Sequence, residues 1–254
     1  MSGLLHSRNL RQYVCYLAEV SKWETIAVGD HLIVYNGVKD SLFNYVFCSN
    51  AVTESEFVTI LEHLNERGWD MSWAVEPSMS VLKMYLGKYN IKRTSNPKKA
   101  FLDLSRYTIH SSKINVSIKF KQISTLEEVQ LFDELSSRIF WHRPGVLVPS
   151  FRGIGEADPD RLRFFLVYVD SKIVGVCGFY LDERVACFYA DGVLQEYRQC
   201  GIGMQLVLQR LALVKELGCD AAIAHCINPI SESLYRKMGF RMLGGLGLYY
   251  SRCL

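Results

Sequence analysis

VLQEYRQCGIGMQLVLQRLALVKEL, residues 193–217, is the stretch on which the reading of this chain turns. The residues leading into it, 185–193, form a mostly apolar run of strand character. A short polar turn follows, then Gly201 and Gly203, and from there an unbroken helical pattern. The spacing predicts a strand, a tight loop and a helix N-terminus. The first turn of a helix carries amide N–H groups without internal partners, together with the positive end of the macrodipole, so such a loop can hold a pyrophosphate. Glycine lets a ligand reach the backbone with no side chain in the way.

Two glycines opening a helix describe a turn as readily as a phosphate cradle. The next segment adds a second motif in register: Asn228-Pro-Ile-Ser-Glu-Ser-Leu-Tyr235-Arg-Lys-Met-Gly239-Phe240. With Arg198, Gly201 and Gly203, which fit Arg/Gln-x-x-Gly-x-Gly/Ala, this resembles the Asn-x-x-Ala-x-x-x-Tyr-x-x-x-Gly-Phe signature of the GNAT N-acetyltransferase superfamily. The resemblance implies an α+β fold, a mixed central sheet flanked by helices in the order β-α-(α)-β-β-β-α-β-α-β-β over residues 116–254. It also implies acetyl-CoA as co-substrate, a primary amine as acceptor, and direct attack in a ternary complex.

Site residues follow from the same resemblance. The backbone at Val193, Leu194 and Gln195 faces the pantetheine, and the amides of Gln199, Cys200, Gly201, Ile202, Gly203 and Met204 hold the pyrophosphate. Arg198 adds a charge-assisted phosphate contact or is a solvated arginine beside Glu196. Asn228 either bonds the cofactor or opens the helix that Pro229 continues. Two departures stand out: Gln195 occupies a position where the family favours proline, and Ser231 replaces the signature alanine. Tyr235 is the implied general acid. An amine attacking a thioester expels a thiolate whose conjugate acid titrates near roughly 8.5, and a phenol of pKa about 10 is a suitable proton donor. The N–H near Val193 can polarise the thioester carbonyl. Cys200 is a tempting nucleophile, yet no base stands beside it in the sequence.

A general base is not singled out by the residues. Asp191, Glu183 and His225 lie on or beside the predicted central strands, and His142 falls within residues 140–160. That segment, rich in proline and glycine with Trp141 and Phe151, is the expected wall of the acceptor pocket.

At 254 residues the chain is comfortable for two domains of about 100 to 140. With 49% apolar and 22% charged residues it has material for a sizeable core, and a net charge of +3 gives no support for nucleic acid or a membrane surface as partner. Eight cysteines are scattered without a C-x-x-C pair, several in apolar runs where a thiol behaves as a small hydrophobe, and no metal is expected. No leader-like segment or membrane-length apolar run occurs, so the expected compartment is a reducing cytoplasm. Ser2 does not suit myristoylation, and Cys253 lies too near the end for prenylation. Oligomeric state does not follow from these features.

Ahead of the motifs, residues 4–20 carry a helical apolar stripe, and 26–28 with 32–35 read as a hairpin about Gly29-Asp30. Residues 43–48 read as a strand. Thr53 caps a helix that Gly68 stops, 71–75 form a strand, 78–86 a helix, and short strands lie near 91 and 101–104. In the later half, strands are predicted at 116–122, 164–169, 173–181 and 220–227, a helix at 126–139, and a closing pair at 240–242 and 248–251. Pro77 with Gly87, and Pro229 with Gly239, share one spacing. Residues 1–110 therefore read as a degenerate GNAT-like copy of a domain spanning 116–254, or as an unrelated small α+β domain; in the copy, Lys83 stands where Tyr235 does. The polar run 105–116 is the natural linker.

Two other classes compete with an acetyltransferase. A dinucleotide-binding fold wants a third glycine and an acid closing the next strand, whereas Asp220 opens it. A non-catalytic acyl-CoA binding or sensing module would keep the cradle and transfer nothing.

Overall fold

A computed structural model of the chain describes residues 2–38, 44–108 and 116–252. Much of the predicted linker, and Cys253, lie outside the described residues. The chain opens with helix α1 (Ser2–Ser21), whose Leu10, Tyr13, Val14 and Leu17 are buried at helical spacing. Strands β1 (Glu24–Val28) and β2 (His31–Tyr35) turn about Gly29, at φ 56°. Then come β3 (Tyr45–Phe47), α2 (Glu54–Arg67), β4 (Met71–Val75), α3 (Ser80–Lys88), β5 (Lys92–Ser95) and β6 (Lys98–Asp103). Thr53 and Glu56 form a capping box on α2, and Gly68 ends it in the left-handed region, as their positions predict.

The later half runs β7 (Lys119–Gln122), α4 (Leu126–Phe140), α5 (Leu147–Ser150), β8 (Leu162–Val169), β9 (Lys172–Asp182), β10 (Val185–Val193), α6 (Ile202–Glu216), β11 (Ala221–Cys226), α7 (Pro229–Lys237), β12 (Arg241–Gly245) and β13 (Gly247–Ser251). The fold is α+β with two mixed sheets flanked by helices. One sheet has the order β1-β2-β3-β4-β13-β5 and the other β12-β6-β11-β10-β9-β8-β7. The pairs β3–β4 and β10–β11 are parallel and the rest antiparallel.

Each sheet takes a strand from the other half. β6 lies between β12 and β11, and β13 between β4 and β5. The expected closing pair is therefore corrected: β12 and β13 sit in different sheets. A cut at residue 110 also fails to separate the sheets, because it removes β6 from between β12 and β11 of the second. Where the two connections cross, Leu246 N donates to Pro97 O at 2.9 Å, and a Cβ on Gly245 would stand 2.2 Å from Asn96 Oδ1. Glycine permits the crossing.

Helix α1 binds the sheets together. Val34, Phe47 and Ala74 of the first sheet and Leu162, Phe164, Val176 and Tyr180 of the second share one apolar cluster with it. Helices α2 and α3 cover the first sheet's other face, and α6 and α7 the second's. Residues 140–160, expected as a pocket wall, mostly join the α1 cluster: Leu147, Phe151 and Ile154 are buried, with Phe151 4.7 Å from Phe164. Only the start of this segment, Phe140 and Trp141, presents a large apolar surface.

Thr125 and Glu128 cap α4 as a second box, and Glu128 also meets Lys121 Nζ at 2.9 Å. Its pKa falls to about 2, chiefly through Lys121, aided by the amides of Ser124 and Thr125 against a burial penalty. A depressed acid stabilises the fold fully above its unfolded value and loses that contribution as pH falls through the folded one. Stability attributable to Glu128 is thus expected to vanish as pH drops from 4.5 towards about 2. Urea midpoints of the wild type and Glu128→Gln should converge over that interval, and parallel curves would refute the assignment.

Candidate functional site

The second sheet opens at one point. Strands β10 and β11 pair only from Val185–Ala221 to Phe188–Ala224, although β10 continues to Val193. The cause is local: Ala190 sits at φ 56°, and the register of β10 against β9 shifts between Tyr189 and Gly192. A bulge bends the strand and steepens its twist, so β10 leaves its parallel neighbour. Beside the bulge, a Cβ on Gly192 would meet Ile139 Cγ2 at 2.4 Å and Phe140 Cζ at 2.8 Å, so glycine there admits the end of α4. Trp141, 82% exposed, follows directly.

Leu194 N donates back to Val174 O at 2.9 Å. Successive strand amides point to opposite edges, so the Val193 N–H faces the edge β11 has vacated. After one 3₁₀ turn at Gln195–Tyr197, Gln199 (φ 64°) and Gly201 (φ 83°) take left-handed conformations and α6 begins. Among the described residues, the amides of Gln199, Cys200, Gly201, Ile202 and Gly203 have no acceptor within the protein. Met204 differs from the expectation, because its amide donates to Gly201 O at 3.1 Å. Arg198 Nε is bonded to Val193 O at 2.9 Å, stapling the loop to the strand end, while Glu196 pairs with Arg138. Cys200 is exposed, and its Sγ lies 3.5 Å from Arg198 O.

On the other side of the opening stands α7. Asn228 is its cap, Oδ1 accepting from Ser231 N at 2.9 Å, which is the helix-entry reading of that residue. With Pro229 next, the helix is phased so that Tyr235 turns inward, 3% exposed, its ring edge-on to Phe240 at 4.9 Å. The Tyr235 hydroxyl donates to Asp191 Oδ2, and Asp191 Oδ1 is paired with Arg210 of α6. Arg210 is wholly buried, bonded also to Gly178 O and Leu206 O, with its guanidinium 4.3 Å from the Phe188 ring centre. Burial first, then the Asp191 charge, pushes the Tyr235 pKa well above its usual value, with Arg210 opposing.

The four base candidates separate in space. Asp191 alone touches Tyr235. Glu183 lies in the turn between β9 and β10, where it meets Arg8 at 2.5 Å. His142 follows α4 in a loop, its Nδ1 3.0 Å from Arg143 O. His225 occupies the first position of β11 past its pairing with β10, edge-on to His6 at 5.4 Å. Burial, then His6 and Lys99, hold its pKa near 3, so it is neutral at physiological pH. Arg210 was not anticipated from the sequence, though a signal existed: it falls on the same helical face as Leu206, Val207, Leu211 and Val214, all buried. Among the described residues no group of three His, Cys, Asp or Glu side chains is placed to hold a metal, and no helix is long and apolar enough to cross a membrane.

A bulged strand thus parts from its parallel neighbour beside a helix opened by unpaired amides. Residues 126–240 match the model of the Acetyltransferase (GNAT) family. No curated protein matches the chain. Among solved structures, a GCN5-related N-acetyltransferase from Kribbella flavida shares 11% identity at a TM-score of 0.69, covering 96% of this chain and 95% of its own. A GCN5-related N-acetyltransferase from Sphaerobacter thermophilus gives 12% and 0.64, covering 88% and 76%. A tandem GNAT protein from the clavulanic acid biosynthesis pathway gives 11% and 0.60, covering 98% and 96%. At such identities the likeness is one of fold.

Proposed function

We propose that this protein transfers an acetyl group from acetyl-CoA to a primary amine by direct attack in a ternary complex, with Tyr235 as general acid. One observation carries the reading: the gap between β10 and β11 lies between a loop of unpaired amides and the helix bearing the Tyr235 hydroxyl. The amides of residues 199–203 suit a pyrophosphate at the positive end of α6. At Gly203 an added Cβ would meet nothing nearer than Leu234 Cδ2 at 3.6 Å, so internal packing does not demand glycine there, whereas close approach of a ligand does. The Val193 N–H suits the thioester carbonyl, whose oxygen gains charge when the amine attacks. When the tetrahedral intermediate collapses, the C–S bond breaks and the thiolate takes the phenol's proton, and the proton that the attacking nitrogen sheds returns through water to the phenolate.

The same proposal reads the first half as a copy of this unit without a cofactor loop. Its order β3-α2-β4-α3-β5 repeats β10-α6-β11-α7-β12, but α2 opens on the Thr53 cap, and Lys83 occupies the α3 position corresponding to Tyr235.

A binding-only module remains a second reading, favoured by the burial of Tyr235 and the commitment of its hydroxyl to Asp191. Both readings require the cradle. Gly201→Val forces a β-branched residue to φ 83°, at a cost of roughly 1–3 kcal/mol in a loop free to relax instead. Calorimetric titration is expected to show acetyl-CoA bound by the wild type and at least about tenfold more weakly by the variant. Equal affinities would place the cofactor elsewhere.

A further inference from the structure

The bulge that opens the sheet also aims a carboxylate. Side chains alternate between faces along a strand, and Tyr189 lies on the α1 face, stacked on Tyr13 at 4.1 Å with its hydroxyl on Asn9. Unbroken alternation would send residue 191 to that same face. Instead Ala190 absorbs one position in the left-handed region and also packs on the α1 side, so Asp191 emerges towards α6 and α7. A left-handed, non-glycine residue is strained, and here the pairing of β10 with β9 before and after the bulge holds it.

We propose that Asp191, anchored by Arg210, is the positioning residue of this site: it fixes where the Tyr235 hydroxyl stands and which way its proton points. The inference rests on the transferase reading only for its catalytic consequence.

Three features support it. Both carboxylate oxygens are engaged, one by Tyr235 and one by Arg210, so Asp191 is held from two sides and is not available to the acceptor amine. Arg210 is itself immobilised by Gly178 O, Leu206 O and the Phe188 ring. Among the described residues its Nη2 is buried without a partner, so the bonds to Asp191, Gly178 O and Leu206 O are the ones that fix the guanidinium. The charged and titratable groups around Tyr235 are Asp191 on β10, Arg210 on α6 and Cys226 on β11, with Cys177 on β9 beside Asp191 and Arg210, and Glu232 and Arg236 of α7 beside Cys226. Of these, Asp191 is the group that accepts the phenol's hydrogen bond.

The test reads tyrosinate by ultraviolet difference titration, the Tyr235→Phe variant of each protein being subtracted to isolate this residue. In the wild type Tyr235 is expected to ionise above the ordinary tyrosine range. In Asp191→Asn, which removes the charge and keeps the shape, its ionisation is expected to move down by roughly 1–3 pH units. The alkaline limb of kcat should move with it, while KM for acetyl-CoA stays unchanged. Asp191→Asn leaves Arg210 buried and uncompensated, so the double variant Asp191→Asn/Arg210→Gln is titrated in parallel; a downward shift in either folded protein supports the positioning role. An unmoved Tyr235 titration in the folded variants overturns it, as does a fall in kcat matched by a rise in KM with no change in pH profile. A titration shift in a wild-type protein that acetylates none of a broad amine panel sinks the transferase reading and leaves the positioning of the phenol standing.

Discussion

Tyr235→Phe is expected to lower the rate of acetyl transfer by about 10²–10⁴-fold while leaving acetyl-CoA affinity unchanged, the range associated with loss of one positioned proton donor. The reasoning is geometric. The hydroxyl is bonded to Asp191 and to none of the amides of residues 199–203, so its removal leaves the proposed cradle in place. A stability cost accompanies it. The lost bond ran to a charged acceptor, worth roughly 1.5–3 kcal/mol, but Asp191 keeps Arg210 and is not stranded. The variant should therefore fold, and a thermal melt checks that. Full turnover in the variant would remove the phenol from the chemistry. Acetyl-CoA binding by both proteins with turnover by neither, across a wide set of amines, would establish the binding-only reading.

Lys99→Met is expected to destabilise the protein by about 3–5 kcal/mol, since it strands a buried carboxylate. Lys99 on β6 and Glu76 just after β4 are 3% and 7% exposed, with Nζ 2.7 Å from Oε2. Among the described residues the other Glu76 oxygen has no partner, so little else compensates the charge once the ammonium is gone. The pair joins a strand of the second sheet to the end of a strand of the first, and its loss should loosen the seam between them. Urea denaturation measures the difference. The double variant Glu76→Leu/Lys99→Met, which buries no charge, is expected to recover most of it. A single variant within about 1 kcal/mol of wild type would show that Glu76 finds water or another donor.

Much of the site was legible because it is built from near neighbours in the chain. The loop and helix at 198–216 follow from Gly201 and the apolar pattern after it, and the caps at Thr53 and Asn228 from residues three positions apart. The segment 140–160 was not legible in this way: Leu147, Phe151 and Ile154 announce burial, but a pattern of apolar residues does not say which surface covers them. His225 illustrates the same limit, since its neutrality comes from burial and from His6 and Lys99, both remote in sequence.

Sequence alone determined most of the elements, the hairpin about Gly29-Asp30 and the glycine-opened helix, because backbone propensity, capping and φ preference act over a few residues. Tertiary structure alone decided that β6 and β13 exchange sheets and that Tyr235 meets Asp191 and Arg210. Strand pairing and buried charge partners depend on contacts between residues far apart in the chain, and neither apolar periodicity nor motif spacing carries that information.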